Sequence, residues 1–237
     1  MLLLGAAFFP PVSYIALIAK EFSFGERGYS PAQVYIEACE SYQKQSWRNR
    51  LRFLAADGPQ DFSFPVVHEK GIPISQTRVD YSSGWLRLLE RALCSAYHSS
   101  AYFDWYKDEL FALLESEPQG LLELDTAVLR FLLEKLGIRA EIRYTREYIP
   151  ENKQVASTPY GLDYRWTLHP KRPNRILQEL ALLRPYYQVF ASKFGFTADL
   201  SAADLLFNEG PEALLYLKKL PTCAPPEGLR GALEPQP

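Results

Sequence analysis

The sequence predicts an α/β fold: a single domain with a mixed β-sheet packed by helices and a helical C-terminal region. Three observations carry that expectation. Short β-rich runs dominate the first third, apolar residues then recur at helical spacing as far as Leu136, and the alternating segment Ile138–Tyr144 returns the chain to extended structure. A chain of 237 residues is suited to one large core, which we place in residues 1–220. Residues 221–237 are proline-rich, lack an apolar period and read as a flexible tail.

The elements follow in order. Met1–Lys20 is strongly apolar. A secretory signal would carry a basic stretch before the apolar run, and a spanning helix would need about 20 unbroken apolar residues. Pro10-Pro11 interrupts this run, so it reads as a buried strand, Leu2–Ala7, and a helix beginning near the prolines. Proline suits a first helical turn because its missing N–H would have no partner there. Membrane insertion is therefore not expected.

Val34–Cys39, Leu51–Ala55 and Phe62–Val67 read as strands, the last two separated by the turn signal Asp57-Gly58-Pro59. Thr77–Val79 adds a short extended piece. Ser82 or Ser83 is placed to cap a helix over Gly84–Tyr97, whose Trp85, Leu88, Leu89, Ala92 and Ala96 share one face. Phe103, Tyr106, Leu110, Leu113 and Leu114 predict a second helix. Leu121 to Leu136 predict a third, ended by Gly137. Ile149–Gly161 has no periodicity and reads as a loop. Asn174–Leu183, Ala202–Asn208 and Pro211–Leu220 read as helical.

Composition narrows the function classes. Apolar residues at 47% with charged residues at 23% place the chain among globular proteins. A net charge of −2 argues against a nucleic-acid partner, which would call for a basic excess. The three cysteines, Cys39, Cys94 and Cys223, form no CxxC pair; Cys39 and Cys94 lie in apolar surroundings. Reduced thiols and a cytoplasmic location follow as the expectation.

Polar chemistry concentrates in Tyr42–Arg52. Four cations, three amides and two aromatics fall within eleven residues that hold no acid. Were Arg48 onward extended, Arg48, Arg50 and Arg52 would share one face and Asn49, Leu51 and Phe53 the other. Guanidinium is a rigid fork matched to carboxylate or phosphate. The cluster fits either an anion site or a cationic sheet edge that discourages strand pairing. From it we draw Tyr42, Lys44, Gln45, Arg48, Asn49 and Arg50 as substrate-binding candidates.

Elsewhere, Asp80 precedes a helix start and is suited to pairing with an arginine or to proton transfer. His68 follows a strand end and is the histidine best placed as a general base. His68, His98 and His169 show no HxxxH or HExxH spacing, so no metal site is expected, and the residues identify no cofactor. GxSxG, P-loop and GxGxxG patterns are absent from the sequence. Tyr187 and Gln188 could line an acceptor cleft, and Asn208 lies in the turn segment Asn208-Glu209-Gly210-Pro211.

These segments resemble the WbqC-like protein family, in a branch common in Bacteroidetes. The resemblance rests on Phe9-Pro10-Pro11…Tyr14, Tyr42-Gln43-Lys44-Gln45-Ser46-Trp47-Arg48-Asn49-Arg50, Val79-Asp80-Tyr81…Trp85, Tyr186-Tyr187-Gln188 and Leu200-Ser201…Asp204-Leu205-Leu206-Phe207-Asn208-Glu209-Gly210. It implies a transferase acting in surface-polysaccharide or sugar-precursor modification, with a nucleotide-sugar, acyl or aminoacyl donor. One departure stands out. Many members carry His-Gln-Pro after the first strand, where this chain has Leu4, Gly5 and Ala6. That absence, and the lack of a nucleophile–base pair, leave a second reading: a non-catalytic scaffold for a biosynthetic partner protein.

Overall fold

Extended backbone begins at the second residue, because Leu2, Leu3 and Leu4 are all buried and a strand covered on both faces needs no polar alternation. The structure is a computed structural model that describes residues 1–25, 28–67, 69–153 and 155–219. Strand β1 (Leu2–Leu4) leads through a seven-residue loop into helix α1 (Val12–Glu21). Both faces of α1 are buried from Val12 to Ala19, as a helix apolar all round requires. Burial of each large aliphatic side chain contributes about 1.5–3 kcal/mol. A small hairpin, β2 (Ser23–Gly25) and β3 (Gly28–Ser30), then precedes β4 (Ala32–Ile36).

After a single 3-10 turn, Trp47–Asn49, the chain forms the hairpin β5 (Arg50–Ala55) and β6 (Gly58–Ser63), followed by the short pair β7 (Val66–Val67) and β8 (Arg78–Val79). Helices α2 (Trp85–Tyr97), α3 (Phe103–Glu115) and α4 (Leu121–Lys135) lead to β9 (Ala140–Tyr144). A tight hairpin follows, β10 (Ala156–Thr158) and β11 (Gly161–Asp163). The C-terminal region adds α5 (Ile176–Glu179), α6 (Ala191–Phe194), α7 (Ala202–Glu209) and α8 (Ala213–Lys218).

The main sheet is mixed, in the order β10-β11-β1-β4-β9, with β11, β1, β4 and β9 parallel and β10 antiparallel. This is the α/β architecture expected from the sequence. No helix among the described residues is long and apolar enough to cross a membrane.

Several boundaries differ for physical reasons. The strand expected at Val34–Cys39 runs two to three residues earlier, because Glu37 turns inward as an ion-pair partner and ends the apolar alternation. The strand expected at Phe62–Val67 is split, with Gly58–Ser63 paired to β5 and Val66–Val67 paired to β8. Neither Ser82 nor Ser83 caps α2: Gly84 does, with φ 65, while Ser82 bonds Asp80. The loop expected over Ile149–Gly161 contains β10, whose partner β11 closes the sheet edge. Cys94 is exposed rather than sheltered among apolar groups, Cys39 is half-buried, and both are free thiols. Cys223 and residues 220–237 lie outside the described residues.

Candidate functional site

Sheet topology indicates where a ligand would sit. From β1 the chain reaches β4 through α1 and later β9, all on one side; β11 pairs on the other side of β1. Connections therefore leave β1 in opposite directions, and the gap between the C-terminal ends of β1 and β11 is a topological switch point. Open α/β sheets bind ligands in that crevice.

A pocket occupies it, with about 370 Å³ of empty space including its open mouth. Its floor is the chain leaving β1: Gly5, Ala6 and Ala7. One wall comes from Gln43 and Ser46–Arg48, with Tyr14 of α1 behind them. The other comes from the chain leaving β11: Arg165, Leu168, His169 and Pro170, with Glu151 near them. A Cβ on Gly5 would lie 3.7 Å from both Arg48 Nη2 and Glu40 Oε1, an ordinary contact, and a longer side chain would meet that ion pair.

Beneath the pocket lies a buried charge network. Arg165 donates to Asp163 through Nε (2.9 Å) and Nη2 (2.7 Å), to Glu37 through Nη1 (3.3 Å) and to the Pro150 carbonyl. Glu37 also accepts from Thr145 Oγ1 and from the backbone N–H groups of Cys39 and Ile149. Every nitrogen of Arg165 and both oxygens of Glu37 are therefore engaged. Arg48 is different. Its Nη2 pairs with Glu40, its Nε has no partner, and its Nη1 makes no hydrogen bond among the described residues.

Two acids respond to this setting. Burial pushes the Glu40 carboxyl up, with Arg48 pulling in the opposite direction. Asp125 on α4 is only 2% exposed, and neither of its oxygens has a partner. Burial drives its carboxyl well above the usual range, against the pull of Arg48. Tyr14 donates to the Gly5 carbonyl at 3.0 Å, and burial holds its phenol in the neutral form.

His169 lines the pocket, and its imidazole pKa is lowered, first by burial and then by Arg172 and Arg48. The ring is thus neutral at pH 7. The Lys171 N–H donates to its Nδ1 at 3.2 Å, which leaves the ring proton on Nε2. His169 therefore serves as a neutral hydrogen-bond donor. Beside it, Arg172 pairs with Glu151 at 3.0 Å and stacks 3.4 Å over Trp166.

The residues singled out from the sequence part company here. Arg48 reaches the pocket because the turn at Trp47–Asn49 rotates it away from the strand face that Arg50 and Arg52 share. Those two pair instead with Asp61 across the β5–β6 hairpin. Asn49 donates its amide to the Phe64 carbonyl. Gln45, with φ 58, accepts from Lys171; Lys44 is exposed; Tyr42 is half-buried, near Arg48 and Asp125. Asp80 pairs with no arginine among the described residues. Its carboxyl accepts from the Ser82 hydroxyl and N–H, which hold it below the usual carboxylate range. His68 lies outside the described residues.

Gln188 and Asn208 belong to a second buried cluster around Asp204. Tyr186 (2.6 Å), Tyr97 (2.9 Å) and Gln188 (3.3 Å) donate to its carboxylate, and Asn208 donates to its backbone carbonyl. Tyr187 points outward, 60% exposed. The sequence reading missed Glu37, Glu40, Asp125, Glu151, Asp163, Arg165 and His169 as site residues. Of these only Glu37 carries a sequence signal, an acid directly after the apolar strand β4.

The WbqC-like protein family model matches residues 7–166, a stretch that includes Arg48, Glu151 and Arg165 and stops short of His169. The uncharacterized protein Rv1507c of Mycobacterium tuberculosis is 29% identical over 204 residues, covering 75% of this chain and 84% of that protein. No solved structure matches the chain.

Proposed function

This chain belongs to the WbqC-like protein family, and we propose that it is a transferase that seats the anionic part of an activated sugar, acyl or aminoacyl donor in the switch-point pocket. The observation that carries the reading is Arg48: a buried guanidinium at the pocket wall with donors left over after its pairing with Glu40. Charge-assisted hydrogen bonds from such a group contribute about 1.5–3 kcal/mol each. The neutral His169 supplies a second donor, suited to oxygen that gains negative charge as a carbonyl or glycosyl centre is attacked. Family resemblance supplies the setting, modification of surface polysaccharide or its sugar precursors.

Calorimetric titration of sugar nucleotides, acyl-CoA thioesters and aminoacyl donors against the wild type and His169→Gln tests the reading. At least one donor binds the wild type, and the variant binds it about ten- to a hundred-fold more weakly, as expected for one charge-assisted bond. Equal binding by both proteins, or no binding at all, overturns it.

A scaffold role is favoured by one feature, the exposure of large apolar side chains such as Trp105 (80%) on α3 and Leu88 (55%) on α2. Turnover by the isolated protein would rule out a purely passive function.

A further inference from the structure

The pocket's chemistry is narrower than anion binding in general. Resting on the transferase reading above, we infer that the group held against Arg48 is the single carboxylate of a compact hydroxy- or amino-acid unit, and not a nucleoside diphosphate.

Donor supply comes first. Arg165, the other guanidinium at the pocket, has Nε, Nη1 and Nη2 all engaged by Asp163, Glu37 and Pro150. Arg48 has more to offer: its Nη1 makes no hydrogen bond among the described residues, whereas Arg165 keeps at most one N–H of Nη1, and the backbone N–H groups of Ala6 and Ala7 on the floor donate to nothing among the described residues. The Nη1 end of one guanidinium with one or two amides matches one carboxylate. A diphosphate, with its many acceptor oxygens, would be left largely unpaired.

Charge balance points the same way. Three buried acids, Glu37, Glu40 and Asp163, stand behind two cations, Arg48 and Arg165. Beyond the lining, Arg172 is neutralised by Glu151, and the exposed Lys171, bonded to the uncharged Gln45 amide, contributes only a solvent-screened charge. A monoanion adds one charge beside a guanidinium able to receive it. A dianionic or trianionic phosphate would face three carboxylates at low dielectric, where like charges repel strongly.

Space and polarity complete the case. The pocket is a small recess with an open mouth. It suits the carboxylate end of a compact acid better than a nucleoside diphosphate. Gln43 and Glu151 line the walls as acceptors for hydroxyl or ammonium hydrogens, while His169 donates.

The test uses thermal shift and calorimetry on the full chain with glucuronate, lactate, glutamate and glycine, the matching amides, inorganic phosphate and UDP. At least one carboxylate binds, its amide binds at least ten-fold more weakly, and both Arg48→Lys and His169→Gln weaken the carboxylate by at least ten-fold. His169→Gln keeps the test informative should Arg48→Lys fail to fold. Binding of UDP or phosphate that depends on His169, with no carboxylate binding, overturns this inference and leaves the transferase reading standing. Carboxylate and amide binding equally well also overturns it. If neither these probes nor the donors named earlier bind, both readings fall.

Discussion

Two buried polar clusters in this chain contain similar residues and end in opposite conditions. Around Asp204, 1% exposed, the tyrosines of α2 and of the segment before α6 meet Gln188 and Asn208 in a closed set, with Asn208 Oδ1 its one unpaired atom. At the switch point every nitrogen of Arg165 is likewise engaged, yet Arg48 Nε and both oxygens of Asp125 have no partner, Arg48 Nη1 makes no hydrogen bond among the described residues, and Arg48 lines a pocket. A satisfied network fixes packing and leaves nothing for a ligand. Orphaned polar atoms beside a cavity retain bonding capacity, which is why we place chemistry at the second cluster and architecture at the first.

Three measurements would break or sharpen that contrast. The largest effect is expected from Arg165→Ala, which strands Asp163 and Glu37 as uncompensated buried charges. Loss of about 3–5 kcal/mol in urea denaturation is expected. A loss below about 1 kcal/mol would show that this half of the switch-point cluster is not structural.

The next concerns pH. Burial raises the Asp204 carboxyl to about 6 from an ordinary 3.8, opposed by bonds from Tyr186, Tyr97, Gln188 and Asn208. Because the folded value is the higher one, the protonated form stabilises the fold. That contribution is complete below pH 3.8 and is lost as the pH rises through about 6. A difference of this size corresponds to about 3 kcal/mol across that window. Asp204→Asn should remove this part of the pH dependence in thermal melts run from pH 4 to 7. An unchanged profile would mean that another group carries it.

The smallest effect is expected at Arg50→Ala. Its ion pair with Asp61 is partly solvated, so less than about 1 kcal/mol should be lost, and less still at high salt. Ligand affinity should change less than two-fold, because Arg50 does not line the pocket. A ten-fold loss would return the binding role to the whole arginine run.

The comparison also shows what was legible in the chain. Helices α2, α3 and α4 could be read from apolar spacing because each buries one face, and that face repeats every three to four residues whatever it packs against. Arg48 could be singled out from the density of cations and amides around it. Its separation from Arg50 could not, since it depends on one 3-10 turn that the local sequence does not advertise. Asn49, Gln188 and Asn208 look like ligand groups in sequence because amides bind ligands and backbone equally well. Here each amide donates to protein, at Phe64, at Thr197 and Asp204, and at the Asp204 carbonyl respectively.

By itself, then, the sequence determined the α/β class, the order of the helices and the density of cations and amides in Tyr42–Arg52, because these follow from local periodicity and composition. Tertiary structure decided the site. Glu40 and Arg48 lie far along the chain from Arg165 and His169, and the two pairs meet only because parallel pairing sets the ends of β1, β4 and β11 side by side. Burial there leaves one guanidinium with donors to offer and keeps one histidine neutral. Neither property belongs to a residue until its neighbours have excluded water.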